Sequence, residues 1–421
     1  MEQKKYLHTT EELDLVLDRE KELAIYGAGD FGKRLADYIL EVRREQQEKI
    51  ISFLVTERKK TDYDYHGIAV TAAPDFLADR ECFIIVAVSD RQQGDIVKVV
   101  EGYGRRLCCL TENLYQTLVQ KLEVPYHGLD FLLAGFPKCA TTSLYGALKT
   151  VDDIFLPKGK ETLFNTWYGK TENAENVLAE KYYSGIRGNQ LTGAIEPGIF
   201  MRYTGWQGAE SVYEIFGPQL KLMFSVRNPV EAAFSEFKMM VRNGDEYCNN
   251  AYQKYQCFSM EMFDEFIDTS VELENFKYIH WIKEFGNYYP REQIKVVLFE
   301  ELVHDAGKVV DDVLRFAGSK CKFRSAEFPF WNKGDFVPAD KEGWEKGKQL
   351  NQLRFYSKYN PQTKEPESDS ILRSRSEYEE REKIYHPQMS QDQRKKLEAY
   401  YDSSVRELEE FIGSSLSELW F

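Results

Sequence analysis

The stretch from Asp130 to Lys149, Asp-Phe-Leu-Leu-Ala-Gly-Phe-Pro-Lys-Cys-Ala-Thr-Thr-Ser-Leu-Tyr-Gly-Ala-Leu-Lys, constrains this chain more than any other. Phe131 to Ala134 is a short apolar run and reads as a buried strand. It breaks at Gly135-Phe136-Pro137, and a helical pattern with Leu144 and Leu148 on one face begins around Thr141. Strand, tight loop and helix N-terminus bring free backbone N–H groups and the positive end of a helix dipole to one point. Lys138 adds a full charge, and Thr141, Thr142 and Ser143 add hydroxyls, while Gly135, Phe136, Pro137, Cys139 and Ala140 complete the loop. Residues 135–143 therefore form a candidate cradle for a phosphate-class anion.

The cradle is not a Walker A loop. That motif, G-x-x-x-x-G-K-[ST], places its lysine beside the hydroxyl that binds Mg²⁺. Counted from Gly135, the second glycine position holds Ala140 and the lysine position holds Thr141. Lys138 stands earlier, where it reaches the bridging oxygen of a bound anhydride. A second apolar run, Leu220 to Val226, ends in Arg227-Asn228-Pro229, with Pro229 suited to the first turn of a helix. A nucleotide kinase would carry an Asp for Mg²⁺ at such a strand end. Here an arginine stands there, and Ser235 follows about two helical turns on. Arginine and a hydroxyl suit a terminal phosphate monoester. No metal ligand set is visible, and no metal is expected.

Gly135-x-Pro137-Lys138-x-x-Thr141-Thr142-Ser143 resembles the 5′-phosphosulfate loop of sulfotransferases that use 3′-phosphoadenosine-5′-phosphosulfate, although that family usually has Gly where this chain has Ala140. Ser-Val-Arg227-Asn-Pro-x5-Ser235 resembles the 3′-phosphate motif of the same family. Phe155-Leu-Pro-Lys158-Gly-Lys160-Glu161-Thr-Leu-Phe-Asn165 is similar to the Lys-Glu-x-x-Phe-Phe segment of its glycan, heparan-type branch. The resemblance implies a catalytic pair of Lys138, at the leaving oxygen, and Glu161, as general base on a sugar hydroxyl or amine. Lys158 and Lys160 become candidate binders of donor or acceptor. Ala194-Ile-Glu196-Pro197 occupies the place of a Glu-Lys-x-Pro segment but lacks its lysine, which leaves Glu196 as the alternative base. Phe330-Trp331-Asn-Lys333-Gly334 resembles the Lys-Gly segment that closes over the 3′-phosphate, and Gln391 to Phe411 with Leu416 and Trp420 looks like the closing helix. The resemblance covers 130–335 and 386–421.

Ahead of this region, Leu23 to Tyr26 reads as a strand running into Gly27-Ala-Gly29-Asp-Phe-Gly32 and a helix. Strands at 50–55, 84–88 and 107–110 alternate with helical stretches at 90–102 and 112–122, the pattern of a doubly wound parallel sheet. G-x-G-x-x-G is a dinucleotide fingerprint, with Glu57 near the ribose-binding position, yet glycines there also serve close strand–helix packing. Both readings stand. The stretch resembles the small Rossmann-like domains that precede sugar-modifying enzymes of bacterial surface-polysaccharide pathways. Val124 to Gly128 is turn-rich and reads as a linker.

The expected architecture is α/β: a Rossmann-like doubly wound domain over 1–124, then a P-loop-NTPase-like sulfotransferase domain over 128–421 with a central parallel sheet. Residues 333–386, polar and punctuated by Pro361 and Pro366, are a linker or an acceptor-binding lid. A chain of 421 residues with a formal charge of −14 repels nucleic acid, so an anionic donor must be drawn by a local basic pocket. The seven cysteines show neither zinc-ligand spacing nor a disulfide framework. With no apolar stretch of about 18 residues and no apolar signal core, the chain reads as cytoplasmic and without a membrane span. Its expected partners are the nucleotide donor, as co-substrate, and a glycan acceptor; homo-oligomerisation is left open. The rival readings are a P-loop phosphotransferase and an inactive nucleotide-sensing or assembly protein.

Overall fold

A computed structural model of the chain describes residues 6–56, 64–162, 174–200, 208–243, 262–323, 328, 337–338, 384–385 and 388–421. The chain divides into two compact units, Met1–Tyr126 with Ser184–Asn189, and His127–Tyr183 with Gln190–Phe421.

In the first unit, strands β1 (Tyr6–Leu7), β2 (Leu23–Tyr26), β3 (Ile50–Val55), β4 (Asp64–Tyr65), β5 (Ile68–Ala72), β6 (Phe83–Val86) and β7 (Leu107–Leu110) form one sheet. Their order is β1-β7-β6-β2-β3-β5-β4, and every pair is parallel except β4 with β5. β2, β6 and β7 are buried along their whole length, which is why they read as unbroken apolar runs. The β4–β5 hairpin turns through His66 and Gly67, both with positive φ (50° and 82°), as a two-residue hairpin of the favoured hand requires.

The three glycines after β2 separate into two kinds. Gly27 has φ +122°, and a Cβ there would lie 2.4 Å from the Ala87 carbonyl oxygen. A Cβ on Gly32 would lie 1.8 Å from the carbonyl oxygen of Gly27. Gly27 is therefore fixed by the close approach of the segment that follows β6, and Gly32 by the packing of the helix Asp30–Glu41 against the turn after β2. Gly29 has nothing within 4 Å of an added Cβ, so packing gives no account of it.

The same helix carries a buried carboxylate. Asp37 is wholly inaccessible and accepts from Arg34 Nη1 at 2.5 Å, the Tyr65 hydroxyl at 2.7 Å and Arg187 Nη1 at 2.9 Å. Arg187 belongs to the short segment Ser184–Asn189, far along the chain from the rest of this unit. Ile186 in that segment is buried too, and its carbonyl accepts from the Val124 N–H at 2.7 Å.

The second unit is built on five parallel strands, β8 (Phe131–Gly135), β9 (Ile154–Phe155), β10 (Leu191–Ile195), β11 (Lys221–Val226) and β12 (Ile294–Leu298), in the order β12-β11-β8-β10-β9. From β8 the chain runs out to β9, returns to β10 beside β8, then crosses to β11 on the other side. The winding direction reverses at β8. In open parallel sheets such a reversal opens a crevice at the carboxyl ends of the strands.

One face of the sheet packs Phe131, Leu133, Ile195, Met223 and Val297 against the helices Thr141–Leu148 and Ala306–Ala317. The other face carries an aromatic group in which the Phe136 ring meets Phe200, Tyr278 and Phe224 at centroid distances of 4.8, 4.7 and 5.6 Å. Gly193 in β10 is the counterpart of Phe131, since a Cβ there would come within 2.1 Å of that ring. Beyond the sheet, Val337–Pro338 pairs antiparallel with Ile384–Tyr385. The rest of 333–386, with the expected Lys333-Gly334 contact, lies outside the described residues.

Candidate active site

The crevice at the carboxyl end of β8 is filled by the loop from Phe136 to Ala140. Ser225, in the neighbouring β11, holds that loop at both ends: its carbonyl accepts from the Phe136 N–H at 2.9 Å, and its hydroxyl donates to the Cys139 carbonyl at 2.5 Å. The Phe136 ring is buried in the aromatic group below. The Cys139 side chain also turns inward, 3.3 Å from the Pro137 carbonyl and 3.6 Å from the Tyr278 hydroxyl. Burial pushes its thiol up to about 12 and disfavours the thiolate. Phe136 and Cys139 thus anchor the loop from inside.

The helix opens where its residue pattern begins. Ser143 and Leu144 both donate to the Ala140 carbonyl at 3.0 Å, and Ala140 is the left-handed residue before Thr141. The positive end of a helix dipole favours an anion at such a start. Thr141 and Ser143 are buried and Thr142 is half-buried.

Backbone strain marks the same place. Among the described residues, four that are not glycine have positive φ: His66, Lys138, Ala140 and Glu161. Three of these belong to the candidate site, with φ of 63°, 62° and 64°. Each such residue costs about 1–2 kcal/mol, a burden that folds tend to concentrate at functional sites.

The second motif lies alongside. β11 delivers Arg227 to its carboxyl end, half-buried, with the guanidinium 4.6 Å from the centroid of Phe299. Asn228 caps the helix Pro229–Asn243 by accepting from the Val230 N–H at 2.9 Å. Ser235 is half-buried on that helix, and Met239 follows four residues later on the same side. The Lys138 ammonium lies 3.3 Å from the Met239 sulfur. The loop lysine and the Ser235 helix therefore meet.

Both candidate bases stand next to β10. Glu161 donates its backbone N–H to the Ile195 carbonyl at 2.9 Å, and its carboxylate pairs with Lys160. Glu196 donates its N–H to the Leu133 carbonyl at 2.9 Å and accepts from the Thr162 hydroxyl at 3.3 Å. They differ in access: the Glu161 side chain is 31% exposed, whereas Glu196 is 1% exposed. Tyr145, on the helix of the anion loop, fastens the Glu161 segment. Its hydroxyl donates to the Pro157 carbonyl and accepts from the Gly159 N–H, each at 2.8 Å. Tyr145→Phe keeps the ring and removes both bonds, so turnover is expected to fall about thirtyfold with donor affinity unchanged, since each lost bond costs roughly 1 kcal/mol of positioning. Steady-state kinetics alongside donor titration would check it, and an equal loss of affinity would place the defect in the anion loop instead.

The sequence gives no sign of the part played by Tyr145 or Met239, and it places Ser225 only within the Ser-Val-Arg227 motif, without its hold on the loop 86 residues earlier. Among the described residues, no group of three or more His, Cys, Asp or Glu side chains is placed to hold a metal ion, and no helix is long and apolar enough to cross a membrane.

The family model described as the sulfotransferase domain matches residues 129–412. Among solved structures, the chain is similar to a sulfotransferase from Alicyclobacillus acidocaldarius, at 23% identity over 70% of this chain and 99% of the other, with a TM-score of 0.42. It is also similar to a sulfotransferase domain from the Synechococcus PCC 7002 olefin synthase, at 13% identity over 66% and 97% of the two chains, TM-score 0.32. A mouse sulfotransferase complexed with PAP aligns at 14% identity over 55% and 66%, TM-score 0.30. No curated protein sequence matches the chain.

Proposed function

The chain belongs to the sulfotransferase domain family, and from that membership we propose that its donor is 3′-phosphoadenosine-5′-phosphosulfate and its acceptor a hydroxyl or amine of a carbohydrate. The observation that carries the reading is the meeting of the Lys138 loop, at the carboxyl end of β8, with Ser225 and Met239, the residues that flank Arg227 and Ser235 in the chain. One nucleotide bearing anionic groups at both its 5′ and 3′ ends suits two such anion contacts. The 5′-phosphosulfate is placed on residues 136–143 and the 3′-phosphate at Arg227 and Ser235, with Lys333 and Gly334 as further contacts.

In this reading the acceptor oxygen or nitrogen attacks sulfur in line. A bond from acceptor to sulfur forms as the bond from sulfur to the bridging oxygen breaks. The electron pair stays on the 5′-phosphate oxygen, where Lys138 stabilises it, and the acceptor proton passes to Glu161. Glu161 suits the part better than Glu196 because its carboxylate reaches solvent, although an acceptor must compete with Lys160 for it. The carbohydrate acceptor and a role in surface-polysaccharide assembly rest on the resemblance of the 155–165 segment and of the N-terminal unit, and the cytoplasmic location on the apolar patterning of the sequence.

Two variants separate donor anchoring from chemistry. Arg227→Ala removes a charged contact present in ground and transition states alike, so donor affinity should fall by about tenfold to a hundredfold. Lys138→Ala should lower turnover more than affinity, because its charge is needed chiefly as the leaving oxygen develops. Transfer of labelled sulfate to a panel of oligosaccharides, with parallel donor titrations, measures both. If both variants changed affinity alone, the leaving-group role of Lys138 would be wrong.

A further inference from the structure

The turn that carries Arg227 is held from the end of the next strand. β11 and β12 pair with Val226 opposite Leu298. β12 then gives way to the helix Phe299–His304, whose first two residues meet the turn: the Arg227 guanidinium lies 4.6 Å from the Phe299 centroid, and the Asn228 N–H donates to Glu300 Oε1 at 2.9 Å. The Asn228 side chain is committed elsewhere. Its Oδ1 accepts from the N–H groups of Val230 and Glu231, and its Nδ2 donates to the Trp420 carbonyl.

Glu300 is an unexpected residue for this position. Its Oε2 is buried and, among the described residues, has no hydrogen-bond partner, which is costly for a carboxylate. Its charge also opposes any anion brought to Arg227. Glu300 and Arg227 share surroundings closely enough to act oppositely on the Cys139 thiol, Arg227 lowering it and Glu300 raising it. A residue unfavourable in both respects fits best as one that fixes geometry.

We propose that Glu300 is a positioning residue for the donor's 3′-phosphate: Oε1 fixes the peptide that follows Arg227, while Phe299 supports the guanidinium, so that Arg227 is presented at the strand end. The inference rests on the reading of Arg227 as the 3′-phosphate anchor. What the site needs from residue 300 is an acceptor atom, not a charge. Glutamine supplies the atom and removes the repulsion, whereas alanine supplies neither.

The test is calorimetric titration of the full-length chain with 3′-phosphoadenosine 5′-phosphate, for wild type, Arg227→Ala, Glu300→Gln and Glu300→Ala. Glu300→Ala should bind about tenfold more weakly, with the donor KM raised in parallel and kcat at saturating donor retained. Glu300→Gln should bind at least as tightly as wild type. Wild-type affinity in Glu300→Ala, or a tenfold loss in Glu300→Gln, would overturn the proposal. Should Glu300→Ala fail to fold, Glu300→Gln alone decides it by the same criterion. Equal affinity of wild type and Arg227→Ala, or no binding by either, is a different failure: it removes the 3′-phosphate reading on which the inference stands.

Discussion

Glu161→Gln is expected to lower turnover by about 10²–10⁴-fold, the usual contribution of a general base, while leaving donor affinity intact. The amide matches the carboxylate in size but cannot take the acceptor proton. The backbone that places residue 161 is fixed independently of its side chain, by the N–H bond to Ile195 and by the Tyr145 clasp on Pro157 and Gly159. The loss should therefore appear in kcat and not in the fold or the donor site. Glu196→Gln is the natural comparison. Its buried carboxylate accepts from Thr162, and a glutamine can accept the same bond, so turnover should change little. A dead Glu196→Gln beside an active Glu161→Gln would move the base to Glu196.

Asp37→Ala should destabilise the first unit by about 3–5 kcal/mol, the range for removing one partner of a buried ion pair. Asp37 has no solvent exposure, and its loss leaves Arg34 and Arg187 with their charges buried and the Tyr65 hydroxyl without its acceptor. Arg34 keeps Asp30 as a second partner, which softens its own share of the loss. Measured by hydrogen exchange in the full-length chain, amides of β2, β3, β6 and β7 should exchange about 10²–10⁴-fold faster where they exchange through opening of the whole unit. Unchanged exchange in those strands would show that the Asp37 cluster contributes nothing to holding the unit closed.

Much of this was legible in the sequence wherever the signal is local. The break at Gly135-Phe136-Pro137, the helix start at Thr141 and the Arg227-Asn228-Pro229 turn lie where their residues place them, because strand burial, a proline at a first turn and an Asn cap act within a few residues. β10 was missed as a strand because Gly193 interrupts its apolar run, and that glycine is explained only by the Phe131 ring on the adjoining strand. The β4–β5 hairpin was missed because its turn uses His66-Gly67, where an Asn or Asp before the glycine would have signalled it. The grouping of Ser184–Asn189 with the first unit has no sequence signal, since the Asp37–Arg187 pair joins residues 150 positions apart. For Gly27-Ala-Gly29-Asp-Phe-Gly32, packing requires the outer two glycines and gives no account of Gly29.

The most direct test of the central claim is a calorimetric comparison of 3′-phosphoadenosine 5′-phosphate with ATP–Mg²⁺ on the full-length chain. A site with Lys138 ahead of the helix and Arg227 at the neighbouring strand end should bind the 3′-phosphorylated nucleotide without Mg²⁺. It should favour that nucleotide over ATP–Mg²⁺ by about tenfold or more, since ATP has no 3′-phosphate for Arg227. Tighter binding of ATP, dependent on Mg²⁺, would contradict the account.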